Sequence, residues 1–178
     1  LLGMNRLFRL GLSRKALGRL SAQLGSDVSF FLYGVNQAIG RGRGEKITPK
    51  PSNKRLWFVL VIPRFAMSTA LVYKQLKAKP LTRISHDATI TSVSLAPGKI
   101  CSAGRYLHND LMPVSFSLRP QLKRLAQLFD QVASGKWIMS GSGPSLFSIH
   151  PSRKEAERAA RSLRRLRPNI NVLICHTD

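Results

Sequence analysis

Carboxylates are scarce in this 178-residue chain: eight Asp and Glu stand against 29 Lys and Arg, a formal net charge of +21. Cysteine is scarcer still. Cys101 and Cys175 lie far apart, which excludes a CxxC or Cys/His metal-ligand pattern, and both read as reduced thiols of a cytosolic protein, with a disulfide as the lesser alternative. No uninterrupted apolar segment approaches the roughly 20 residues that span a bilayer, and no signal-peptide pattern is visible. Aromatics make up 7% of the residues, and no groove-reading or RNA-stacking signature accompanies the positive charge. There is no internal repeat and no low-complexity tract.

What is present supports a folded protein. A 43% hydrophobic content is enough for a core, and the length suits one domain, or one domain and part of another. The basic residues run from Arg6 to Arg167 without a dominating cluster. Such a charge attracts polyanions: nucleic acid, anionic membrane or multiply phosphorylated small molecules. The sequence starts at Leu1, in what reads as mid-helix, so missing upstream sequence is expected.

Residues Leu1 to Leu10 read as the last turns of a helix that Gly11 stops. Ser13 is the expected N-cap of a second helix with Leu17, Leu20 and Leu24 inward, closed by Gly25 in the left-handed conformation. "VSFFLY" reads as a short strand, and "NQAIGRG" and "EKITP" as two more around a glycine–arginine loop. A polar, proline-containing break then places a domain boundary near residue 55, dividing the chain into 1–55 and 56–178. "LWFVLVIP" reads as a buried central strand, "MSTALVYKQLK" as a short helix, and Leu81 to Gly104 as a long surface loop. A helix from about Pro120 to Val132 carries Leu122, Leu125, Phe129 and Val132 on one stripe. Two strands flank a glycine–serine turn, a helix opens with a Ser152/Glu155 capping box, and "NINVLICH" closes as a strand. The expected class is α+β, with antiparallel strands and helices on one face.

Three segments exceed generic expectation. Asp27 follows Gly25-Ser26 at the mouth of an apolar run, where a carboxylate can orient or accept the proton of a substrate hydroxyl; alone, it is more economically a turn residue. "MSGSGPSLF", with Gly141, Ser142 and Gly143, exposes successive backbone N–H groups of the kind that face phosphate oxygens; alone, it is an ordinary hairpin loop. "STALVY" puts Thr69 and Tyr73 one helical turn apart, a hydroxyl beside a ring that suits a planar heterocycle; alone, Tyr73 is better taken as core.

Together and in order, "LGSDVSFFLYGVNQAIGRGRGE", "STALVY", "HNDLMPV" and "MSGSGPSLF" resemble the GHMP kinases over nearly the whole chain. They are most similar to the branch acting on cytidine diphosphate methylerythritol in non-mevalonate isoprenoid (terpenoid) biosynthesis. The resemblance implies a GHMP kinase fold: part of a ribosomal S5 domain 2-like N-terminal domain, then a ferredoxin-like α/β sandwich. It implies ATP- and Mg²⁺-dependent phosphorylation of a hydroxyl. It makes Asp27 the catalytic aspartate beside a lysine, Tyr73 the ring stacked on cytosine and Thr69 a substrate contact. Gly141, Ser142 and Gly143 become the nucleotide-binding third motif, which lies against the phosphate-binding loop. The chain departs from the pattern at Ser29 (usually proline), Val35 (glycine) and Met112 (an acid). The GLGGGSS-type phosphate loop and the lysine are expected upstream of Leu1, so the chain alone is expected to be inactive or nearly so. A basic nucleic-acid-binding protein and a non-catalytic relative are the alternative readings.

Overall fold

The computed structural model describes residues 1–25, 27–42, 44–50, 55–76 and 107–177. The chain divides into two compact units, Leu1–Lys54 and Arg55–Thr177. Ser26, Cys101 and the loop expected over Leu81 to Gly104 lie outside the described residues.

In the first unit, α1 (Leu2–Leu7) ends at Phe8, and Arg9 turns the chain with φ 50°. Asn5 fastens the link to the next helix: its Nδ2 donates to the Leu12 carbonyl at 3.1 Å and its Oδ1 accepts from the Leu12 N–H at 2.9 Å. Helix α2 (Arg14–Leu24) has the expected cap, the Ser13 hydroxyl accepting from the Ala16 N–H at 3.3 Å. Its buried side is Leu17 and Ser21, whereas Leu20 and Leu24 are exposed. The expected Leu17/Leu20/Leu24 stripe is thereby corrected: the three leucines share one side of the helix, but only Leu17 is buried. Gly25 ends the helix in extended backbone (φ 165°), not in the left-handed form expected of it.

The run expected as a strand is instead the single-turn helix α3 (Val28–Phe31). Its burial explains why: Ser29 and Leu32, three apart, face inward, while Phe31 is 72% exposed. The Ser29 and Ser21 hydroxyls meet at 2.8 Å, and Ser21 also donates to the Gly18 carbonyl at 2.8 Å. That buried pair satisfies the hydroxyl that stands where the GHMP pattern has proline. Strands β1 (Ala38–Arg41) and β2 (Lys46–Pro49) form an antiparallel hairpin.

The second unit holds one antiparallel four-stranded sheet in the order β4-β5-β3-β6. Its strands are β3 (Trp57–Val61), β4 (Trp137–Met139), β5 (Leu146–His150) and β6 (Val172–His176). Register pairs Val61 with both Leu146 and Val172, so alternate residues form one apolar face. Helices α6 (Pro120–Ala133) and α7 (Arg153–Leu166) cover it: Leu122, Leu125, Phe129, Ala156, Ala160 and Leu163 join Val59, Val61 and Leu146 in the core. Ser152 caps α7, accepting from the Glu155 N–H at 3.2 Å. Two shorter helices complete the unit, α4 (Thr69–Gln75) and α5 (Leu111–Leu118). Helix α5 was not expected. The architecture is the α+β arrangement that the strand and helix periodicities implied.

Candidate functional site

The turn between β4 and β5 is built by residues from three elements. Within it, the Ser140 N–H donates to the Ser145 carbonyl and the Gly143 N–H to the Ser140 carbonyl, both at 2.9 Å. Gly141 and Gly143 take φ +53° and +81°, the left-handed region. At Gly143 a Cβ would also fall 2.8 Å from the Met139 sulfur, so both backbone and space require glycine. Pro144 follows through a cis peptide bond.

Asn109, which sequence reasoning missed, clamps this turn. Its Nδ2 donates to the carbonyls of Met139 and Gly141, each at 2.8 Å, while its Oδ1 accepts from the Leu111 N–H at 2.9 Å. Fully buried Ser115, on α5, donates from its hydroxyl to the Ser142 carbonyl at 3.1 Å. With their carbonyls engaged, the Gly141 and Ser142 N–H groups donate to no acceptor among the described residues. A local signal existed only in "HNDL", where an Asn two residues before a helix is a common turn former.

Helix α4 brings the acceptor-side candidates to the same turn. Ser68 caps it, accepting from the Leu71 N–H at 3.3 Å. Thr69 Oγ1 lies 2.8 Å from Ser142 Oγ. A hydroxyl has one donor and two acceptor sites, so Thr69 keeps capacity for a ligand while bonded to Ser142. Tyr73 stands one turn further along, 59% exposed, which sets aside the reading of it as core. Four of the sequence candidates in this unit, Thr69 and the Gly141–Gly143 turn, are therefore joined directly, with Tyr73 beside Thr69 on its helix.

Asp27 belongs to the first unit. It occupies the N-cap position of α3 with αR backbone, and its carboxylate makes no capping hydrogen bond and is exposed. The turn-capping role that its sequence position suggested is absent. Met112, where the GHMP pattern has an acid, is half-buried against the core of the second unit. No group of three or more His, Cys, Asp or Glu among the described residues could hold a metal ion, so these residues do not fit a dedicated cage for Mg²⁺. Among the described residues, no helix is long and apolar enough to cross a membrane.

The second unit thus joins a strand–turn–strand, whose glycine turn meets a capped helix, to an antiparallel sheet backed by two helices. Residues 98–169 match the family model "GHMP kinases C terminal". The likeness to the GHMP kinases extends beyond these residues. The chain's relatives include the 4-diphosphocytidyl-2-C-methyl-D-erythritol kinase of Shouchella clausii, 37% identical over 163 residues, covering 91% of this chain and 54% of the relative. The enzyme of the same name from Moorella thermoacetica is 35% identical over 174 residues, covering 97% of this chain and 61% of the relative. A crystal structure of 4-(cytidine 5'-diphospho)-2C-methyl-D-erythritol kinase superposes with TM-score 0.66 at 27% identity, covering 99% of this chain and 60% of that one. Homoserine kinase from Cytophaga hutchinsonii, at TM-score 0.67 and 17% identity, shares the fold. The chain spans a little over half the length of the curated relatives it matches.

Proposed function

We propose that this chain supplies substrate- and nucleotide-facing residues of a cytoplasmic kinase. The reaction is transfer of the γ-phosphoryl of ATP to a hydroxyl of 4-diphosphocytidyl-2-C-methyl-D-erythritol. The observation that carries the reading is the 2.8 Å contact between Thr69 and Ser142, which couples a helix bearing an exposed tyrosine to a turn with unused N–H donors. Tyr73 stacks on the cytosine ring and Thr69 hydrogen-bonds the same substrate. The Gly141 and Ser142 N–H groups face phosphate oxygens of the nucleotide, where aligned amides stabilise negative charge without reorganising. Asp27 orients the acceptor hydroxyl and takes its proton as the O–P bond forms. ATP supplies the phosphoryl group, and magnesium, when bound, neutralises its charge.

The test is binding of the cytidine substrate and of ATP to the chain, measured calorimetrically. Saturable binding that Tyr73→Ala weakens supports the reading. A chain that binds neither the cytidine substrate nor ATP would sink it.

A further inference from the structure

A second polar groove, of about 490 Å³, lies in the same unit between the end of α6 and the outer face of α7. It opens beside Lys136 and His150, which stand at one end of the β4–β5 ladder, while the Gly141–Gly143 turn closes the other end. Lys136 and Gly141 are five positions apart along the chain, about 15 Å at the rise of a β-strand. The groove is therefore separate from the candidate site above.

Its chemistry is that of an anion receptor. Arg158, Ser162 and Arg165 follow one another at i, i+4 and i+7 on α7, so they line up along one wall. Ser134 and Lys136, which follow the end of α6, line the groove as well. Lys136, Arg158 and Arg165 make no ion pair with a carboxylate among the described residues. One acid, Glu155, also lines the groove. The C-terminal end of α6 adds roughly half a negative charge. Three cations outweigh both. On the floor, His150 is buried with its Nε2 2.8 Å from the Ser148 hydroxyl, and it leaves the arginines and hydroxyls to meet a ligand. Ala133 and Ala159 give the rest of the floor an apolar character.

We infer that this groove binds a compact phosphate or diphosphate ester, held by Arg158, Arg165 and Lys136 and by the Ser134 and Ser162 hydroxyls. The volume falls within the roughly 300–1,000 Å³ of small-molecule sites. No described Phe, Tyr or Trp lines it. Single-stranded nucleic acid, the other polyanion such charge attracts, is ordinarily held by bases stacked on aromatic rings.

The experiment titrates the chain with inorganic pyrophosphate, by calorimetry and by amide NMR, at a fixed moderate ionic strength. The expected result is saturable binding with shifts at Gln131, Ser134 and Ser162. Arg158→Gln with Arg165→Gln weakens that binding by at least about tenfold, as loss of charge-assisted hydrogen bonds requires. Arg124→Gln with Arg161→Gln, which removes the same charge outside the groove, changes it by less than about twofold because exposed charges at a distance are screened. Equal weakening by both pairs, absence of saturation, or shifts confined to Gly141–Gly143 would overturn the inference. So would tighter binding of a short oligothymidylate than of pyrophosphate in the same groove. Circular dichroism of each variant confirms that the helices persist.

Discussion

Asn109 holds Gly141 from 32 positions away: its side-chain amide reaches the glycine carbonyl at 2.8 Å and the Met139 carbonyl at the same distance. One nitrogen thus fixes both ends of the approach to the turn, and its partner oxygen anchors the start of α5. The candidate phosphate turn is shaped by a side chain that never needs to touch a ligand.

Removing that side chain tests the clamp. Asn109→Ala leaves two carbonyls and one N–H without their partners in a part-buried place. Such losses cost about 1–3 kcal/mol in urea-denaturation stability. Asn109→Asp is expected to be no better, because an ionised carboxylate cannot donate to the two carbonyls. If Asp at this position matched the wild-type midpoint, the donor role of Nδ2 would be wrong.

The two turn glycines should differ in cost. Gly141→Ala meets open space and carries only the left-handed backbone penalty, about 1–2 kcal/mol. Gly143→Ala carries the same penalty and drives its Cβ to within 2.8 Å of the Met139 sulfur. The expected order of urea midpoints is wild type, then Gly141→Ala, then Gly143→Ala, with unchanged slopes.

Much of this unit was legible in the sequence, and the exceptions have physical causes. Helices α6 and α7 announce themselves because their apolar residues recur at helical spacing, and β3, β5 and β6 because each is a short apolar run of strand length. Helix α5 hid because "LMPVSFSL" is apolar almost throughout, buries Ser115 completely, and contains Pro113. Proline at the third helical position is tolerated, since the first four N–H groups of a helix have no intrahelical partner. In the first unit "VSFF" misled for the opposite reason: three strand-forming apolar residues surround a serine, and the serine is the buried member. Thr69, Tyr73 and the glycine turn could be picked out locally. Asn109 could not, because its partners are long-range and an asparagine before a helix is commonplace.

His150 gives a pH signature. Burial is the main cause holding its pKa below the ordinary 6.5, with Lys136 acting in the same direction and Glu155 opposing. The unfolded chain then binds this proton at a higher pH than the folded one. Stability is therefore full above about 6.5 and falls as pH drops from there toward the folded pKa, because the unfolded state takes up more protons in that window. His150→Gln keeps a group able to bond Ser148 and removes the titration. Denaturant midpoints at about pH 7.5 and about pH 5.5 should differ more for the wild type than for this variant. An identical pH slope in the two proteins would remove His150 from the account.

Tyr73 is exposed, so its substitution should read out binding without disturbing the fold. Tyr73→Ala is expected to keep the wild-type denaturation midpoint within about 0.5 kcal/mol. Its affinity for the cytidine substrate should fall by about tenfold or more, since a stacked base contributes roughly 1–3 kcal/mol. Tyr73→Phe keeps the ring and should bind nearly as the wild type does. Loss in Tyr73→Phe equal to that in Tyr73→Ala would assign the contact to the hydroxyl instead of the ring.

Asp27 separates a structural role from a chemical one. A carboxylate that capped α3 would cost about 0.5–2 kcal/mol when replaced by alanine. Here the side chain makes no capping hydrogen bond and is exposed, so Asp27→Ala should leave the denaturation midpoint unchanged. Asp27→Asn keeps the shape and removes the proton acceptor. In an assembly competent for transfer it should lower kcat by about 10²–10⁴, the usual worth of a general base, with KM for the cytidine substrate little changed. A fall in KM-dependent binding with kcat intact would make Asp27 a substrate-holding residue. Full activity in Asp27→Asn would remove it from the chemistry altogether.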